Sequence, residues 1–112
     1  MTTIKRGDVV LVEVVFSDGT ETKKRPALVI SSGDYHRSRQ EVIIAAITSN
    51  VTRILMGDTL IDKWEEAGLL YPSLVAGIIQ TIKKNMINRK LGALSKDDFQ
   101  SVQENLKKSM GF

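Results

Sequence analysis

The chain reads as a mainly β protein of the α+β kind, a small barrel or half-barrel with one helix laid across it. Three observations predict this. Short β-branched and apolar runs recur along most of the length, at Asp8 to Phe16, Pro26 to Ile30, Glu41 to Thr48 and Ser73 to Ile82. Nothing alternates in the strand–helix–strand rhythm of a doubly wound fold. The one strongly signposted helix comes last, after Ser95.

The bulk properties fit that class. At 112 residues, with 42% hydrophobic and 26% charged content, residues 1–112 are expected to form a single domain with a modest core. The formal charge of +3 permits a polyanionic partner without requiring one. With no cysteine, disulfides, thiolate nucleophiles and thiolate metal sites are excluded. No signal-peptide core opens the sequence and no apolar run approaches the roughly 18 residues of a membrane helix, so a cytoplasmic protein is expected.

Taken in order, Asp8 to Phe16 is interrupted only by Glu13 and predicts a strand buried on most of both faces. Ser17-Asp18-Gly19-Thr20 is a turn signal, and the polar link from there to Arg25 is expected to be an exposed loop. The second strand should begin at Pro26, because proline lacks a donor and is tolerated at a strand's first residue. Pro26 also biases Arg25 towards extended backbone. Lys23, Lys24 and Arg25 thus form a basic cluster at the mouth of a rigid segment. A polar loop is expected over 31–40, then the third strand, ending in the small polar run Thr48-Ser49-Asn50.

Thr52 to Leu55 reads as an extended connection or short strand, and Thr59 to Ile61 as a further short strand. Asp62 could cap a short helix over 63–67, with Gly68 as its stop. Gly77 marks a bulge or close approach within the Ser73–Ile82 strand. Lys83 to Arg89 could make a helical turn before Gly92 breaks the chain. Ser95 and Asp98 have capping-box spacing, and Leu94 with Phe99 that of a hydrophobic staple. Phe99, Val102, Leu106 and Met110 fall on one helical face, expected to be core or dimer interface.

Several of these segments, in order, resemble the MazF/PemK toxins. Lys5-Arg6-Gly7-Asp8-Val9 is similar to the family's opening, and Arg25-Pro26-Ala27-Leu28-Val29-Ile30 and Ala46-Ile47-Thr48-Ser49-Asn50 to its two signatures. Ala67-Gly68-Leu69, Pro72-Ser73, Gln80-Thr81-Ile82 and Lys90-Leu91-Gly92 follow in the family's order. Two positions depart from it: Ala76 stands where many relatives are basic, and Ile78 where they are often polar.

The resemblance implies an SH3-like barrel of the CcdB/PemK toxin type and a homodimer. It also implies a sequence-specific, metal-independent endoribonuclease restrained by a cognate antitoxin protein, with RNA as substrate and no cofactor. The family's catalytic arginine and threonine carry over to Arg25 and Thr48. RNA supplies its own nucleophile in the 2′-hydroxyl, so the protein must align it and stabilise charge on the phosphorane. A guanidinium suits that charge, and a threonine hydroxyl can donate to the same oxygens. Ser17, Lys23, Lys24, Ser49, Asn50 and Arg53 are the candidate RNA contacts.

The residues by themselves leave plainer alternatives open. Arg25 could be a solvated charge flanking a strand, and Thr48 a turn residue. His36, beside Arg37 and Arg39, is the one group expected to titrate near neutrality, and reads as a surface histidine. Metal chemistry has no ligand cluster to support it; Asp62, Glu65 and Glu66 are spaced as helix-start charges. Two other functions fit the same fold: a toxin that blocks a protein such as DNA gyrase, and a non-catalytic binding module.

Overall fold

A computed structural model describes residues 3–15 and 22–112. The turn expected around Asp18-Gly19 and the candidate contact Ser17 lie outside the described residues.

The first three strands are β1 (Asp8–Val15), β2 (Thr22–Val29) and β3 (Glu41–Thr48). Neighbouring residues on them serve opposite faces, as a period of two requires. Val9, Leu28 and Ala45 join one buried cluster, while Val10, Val29 and Ile44 join another. Over residues 8–12 that two-sided burial agrees with the prediction made for Asp8 to Phe16; Phe16 lies outside the described residues. Beyond them lie β4 (Thr59–Leu60), β5 (Leu74–Lys83) and β6 (Ile87–Ala93), giving a six-stranded antiparallel sheet in the order β4-β5-β3-β2-β1-β6. A short helix, α1 (Gly33–Ser38), follows β2, and α2 (Lys96–Met110) ends the order of elements.

The sheet does not close by strand pairing, because β4 and β6 are both edges. The segment after β4 instead swings across to β6 and touches it backbone to backbone. A Cβ on Gly92 would stand 2.5 Å from the Ala67 carbonyl oxygen, and one on Gly68 would collide with the Leu91 carbonyl. Gly68 also has φ +83°, where side chains are strained. Ile61, Ala67 and Leu69 from this segment complete the first cluster together with Val102 and Leu106 of α2. The result is a barrel-like enclosure, in agreement with the expected fold.

Several boundaries differ from expectation. The second strand starts at Thr22 rather than Pro26, because Lys23, Lys24 and Arg25 pair with Val14, Glu13 and Val12 of β1. The 31–40 loop contains α1, capped by Ser32, whose hydroxyl accepts from the Tyr35 N–H at 3.2 Å. Residues 63–67 form successive turns and no α-helix, although Gly68 does stop them. Lys84 to Met86 makes a 3₁₀ turn, and the following polar stretch is an edge strand that runs through Gly92. Gly77 does mark a bulge: Ala76, Gly77 and Ile78 span the interval that β3 covers with Ala46 alone.

Helix α2 begins as its caps predicted, with the Ser95 hydroxyl accepting from the Asp98 N–H at 3.2 Å. The Asp98 carboxylate, however, does not complete a capping box. It is buried and accepts from the Asp62 and Lys63 N–H groups at 3.1 and 3.0 Å, fastening the helix start to the crossing segment. With no α-helix over 63–67, Asp62 has no helix to cap. Val102 and Leu106 are buried, Phe99 is half-buried, and Met110 at the end of the stripe is exposed.

Gly68→Ala should lower stability by more than about 1 kcal/mol, since it adds a positive-φ penalty to a backbone collision. A melting temperature equal to that of the parent would refute the glycine contact as the barrel's closure.

Candidate active site

The candidate site forms where β2 and β3 part. Ala27 faces Ala46 and Leu28 faces Ala45 in the last paired rungs. Arg25 and Thr48 each lie two residues past that last rung, and by alternation each takes the side of the sheet of Ala27 and Ala46. The ladder ends there because Pro26 has no N–H with which to extend it. Arg25 is exposed and Thr48 is half-buried. The sequence-predicted pair is thus brought to one face at one end of the sheet, beyond the buried rows of Val29, Ile44 and Ile82.

Thr48 is held by its own turn. Its Oγ1 accepts from the Asn50 N–H at 3.1 Å, which leaves the hydroxyl hydrogen for an outside acceptor. The Asn50 side-chain oxygen in turn accepts from the Thr52 hydroxyl at 2.7 Å, so its amide nitrogen is the group left for recognition. Ser49 and Arg53 are exposed beside them. Among the described residues no carboxylate pairs with Arg25 or Arg53. Lys23 shares the Arg25 face by alternation, whereas Lys24 lies on the other face, opposite Glu13. Gln80, opposite Ile44 on β5, is exposed on the same side as Arg25 and Thr48. Sequence reasoning missed it, because its relevance lies only in the β3–β5 register.

Other basic residues are already engaged. Arg37 pairs with Asp34, and Arg39 bonds Glu41 at 2.9 Å while stacking 5.5 Å from the Tyr35 ring. Arg39 also holds the Glu41 carboxyl below its ordinary range. Asp8, from the family-like opening, is buried, accepts from the Lys5 N–H at 2.8 Å and pairs with Lys90 at 3.2 Å. Its role is to fasten that opening to β6.

His36 overturns its surface reading. It is 8% exposed, with Nε2 2.5 Å from the Ser31 hydroxyl, whose oxygen also accepts from the Ile43 N–H at 3.0 Å. It sits beyond the other end of β2 from Arg25 and cannot serve that residue's chemistry. Nδ1 is buried without a well-formed hydrogen bond. Burial pulls the imidazole pKa below its ordinary 6.5, against the influence of the nearby Ile4 carbonyl; the charges of Lys84 and Arg37 pull the same way as burial. Burial thus favours the neutral ring.

Among the described residues, no three His, Cys, Asp or Glu side chains group as a metal site, and no helix is long and apolar enough to cross a membrane.

The fold is a small barrel-like sheet with a C-terminal helix, and Arg25 and Thr48 lie just past the end of its β2–β3 ladder. The chain belongs to the PemK-like, MazF-like toxins of type II toxin-antitoxin systems, whose sequence model matches residues 5–110. No curated protein matches the sequence significantly. Among solved structures, it is similar to an endoribonuclease in complex with its cognate antitoxin from a mycobacterial species, at TM-score 0.80 and 17% identity over 98% of this chain and 97% of that one. The Mycobacterium tuberculosis toxin MazF-mt6 matches at TM-score 0.77 and 24% identity, over 94% and 97% of the two chains. A MazE–MazF complex from Deinococcus radiodurans matches at TM-score 0.83 and 17% identity, over 100% and 99%. At these identities the likeness establishes the fold.

Because its folded pKa is depressed, His36 contributes stability that is present above pH 6.5 and lost as the unfolded chain takes up the proton below it. The melting temperature should therefore fall from about pH 7 to about pH 5, and more steeply than in His36→Gln. Equal slopes in the two proteins would show that the ring does not titrate on unfolding.

Proposed function

We propose that this single-domain toxin is a sequence-specific, metal-independent endoribonuclease that cuts single-stranded RNA in the cytoplasm. What supports this reading is that Arg25 and Thr48 each stand two residues past the last paired rung of β2 and β3, on one side of the sheet by alternation. The RNA 2′-oxygen attacks the adjacent phosphorus and the 5′-oxygen leaves. The proton lost from the 2′-hydroxyl is balanced by one gained at the leaving oxygen, giving a 2′,3′-cyclic phosphate and a 5′-hydroxyl. Arg25 stabilises the charge on the non-bridging oxygens with paired, charge-assisted bonds. Thr48 donates its free hydroxyl hydrogen to the same group. Lys23, Ser49, Asn50 and Arg53 lie where they can position the flanking nucleotides.

Arg25→Ala should reduce cleavage at least about a hundredfold in a folded protein, the scale of removing one transition-state donor. Thr48→Val keeps the β-branched shape, so it should lower the rate without lowering the melting temperature. Cleavage should persist in EDTA. Full activity of Arg25→Ala would reject the site, and a strict need for added Mg²⁺ would reject the mechanism. Cell toxicity without any RNA fragments would point to a protein target such as DNA gyrase.

The working unit is proposed to be a homodimer. Ile54, Leu55, Met56, Ile78 and Ile79 are all exposed, and the Met56–Gly57 backbone lies against Gly77 of β5. Such a band is more apolar surface than single exposed side chains would present. A two-fold partner covering it would set two Arg25 faces around one longer groove. An extended acidic segment of the cognate antitoxin would block that groove and bind less tightly as salt rises. Ile78→Asp should convert a sedimenting dimer to monomer; a parent protein that is already monomeric at micromolar concentration would refute the assembly.

A further inference from the structure

The turn that follows β3 carries three hydrogen-bond donors in the candidate site. The Thr48 hydroxyl commits its oxygen to the Asn50 N–H at 3.1 Å and keeps its hydrogen. Arg53 is exposed, and no carboxylate pairs with it among the described residues. Asn50, also exposed, is the third. Its side-chain oxygen accepts from the Thr52 N–H at 3.4 Å and from the Thr52 hydroxyl at 2.7 Å.

That contact decides which end of the amide is on offer. A backbone N–H only donates, so the Thr52 N–H meets the carbonyl end and not the nitrogen. A surface asparagine without such a turn can flip and present either end; here the amino end is the one left over. The neighbouring sequence adds no matching acceptor, since it holds no acidic residue between Glu41 and Asp58. Glu41 pairs with Arg39 and Lys83. Each Asp58 carboxylate oxygen accepts from a backbone N–H at 2.8 Å, one from Leu55 and the other from Gly77. Ser49 and Gln80 bear groups that both donate and accept, so neither discriminates.

We infer that Asn50 is a base-selecting residue, favouring uracil or guanine over cytosine or adenine at a nucleotide flanking the scissile phosphate. The inference rests on the proposed endoribonuclease activity and adds the class of nucleotide it takes. Uracil and guanine carry a carbonyl, O4 or O6, where cytosine and adenine carry an amino group. The Asn50 amide donates to that carbonyl. Against an amino group it would set donor on donor and leave both unpaired, and that cost supplies the discrimination. A single strand exposes the base edges that such a reader needs. The reader is also close to the chemistry, because the residue that presents the amide is the one whose N–H holds the Thr48 oxygen.

The test incubates the full chain with a randomised single-stranded RNA pool in EDTA and sequences the fragment ends. Uracil or guanine should be enriched at a position flanking the cut. In oligonucleotides that differ only there, exchanging uracil for cytosine, or guanine for adenine, should lower kcat/KM about tenfold. Asn50→Asp keeps an oxygen for Thr52 but turns the outward donor into an acceptor, so the preference should move towards cytosine or adenine. Asn50→Ser offers a hydroxyl that donates or accepts, and should cut with the preference flattened. It also covers the case in which the added carboxylate of Asn50→Asp repels the phosphate and stops cleavage. A role confined to the turn would instead slow all substrates alike and leave the preference in place. A parent that cuts without regard to the flanking carbonyl would overturn the inference, as would an Asn50→Ser protein that retains the parent's preference. A parent that cuts no RNA would refute the proposed function itself.

Discussion

The architecture depends on one close backbone approach, between Ala67-Gly68 and Leu91-Gly92. Six strands with two free edges make a curled sheet, not an enclosure. The crossing segment supplies the missing wall, and it can do so only because neither glycine carries a side chain at the contact. The buried Asp98 carboxylate then ties the same segment to the start of α2. One seam thereby joins the β4 edge, the β6 edge and the helix around a shared core. Residues far from any chemistry decide whether the sheet holds the curvature on which the candidate site rests.

Much of this fold was legible in the sequence, and the parts that were not share a cause. Apolar runs announced β1, β3 and β5, and the Ser95 cap and Leu94–Phe99 staple announced α2. β2 was read as starting too late because Thr22 to Arg25 is polar; its strand geometry comes from pairing with β1, which no local pattern encodes. β6 was missed for a similar reason, since Asn88, Arg89 and Lys90 are exposed on an edge. α1 is too short for a hydrophobic period to register. Asp98 had the right spacing for a capping box and found better donors 36 residues away in Asp62, a choice made by tertiary contact.

The site shows the same division. Arg25 and Thr48 could be nominated from residue type and family likeness, yet their common side of the sheet depends on the β2–β3 register. Gln80 needed the β5 register as well. His36 was misread because its neighbours are charged, while its own side chain turns inward to Ser31. Arg37 and Arg39, charged neighbours of His36 in the sequence, are paired with Asp34 and Glu41. A charged loop is a poor guide to free charge when half its ions neutralise the other half.

The end of the β2–β3 ladder at Pro26 also has a mechanical side. Thr48 sits on a strand still flanked by β5, where it faces Leu74, so its position is braced from within the sheet. Arg25 is carried on a stretch of β2 that, among the described residues, pairs only with β1. The two halves of the site therefore differ in stiffness: one is an anvil, the other a cantilever with a single support. If the proposed site takes a phosphate, adjustment of the gap is expected of the arginine arm more than of the threonine, which the sheet holds on its β5 side.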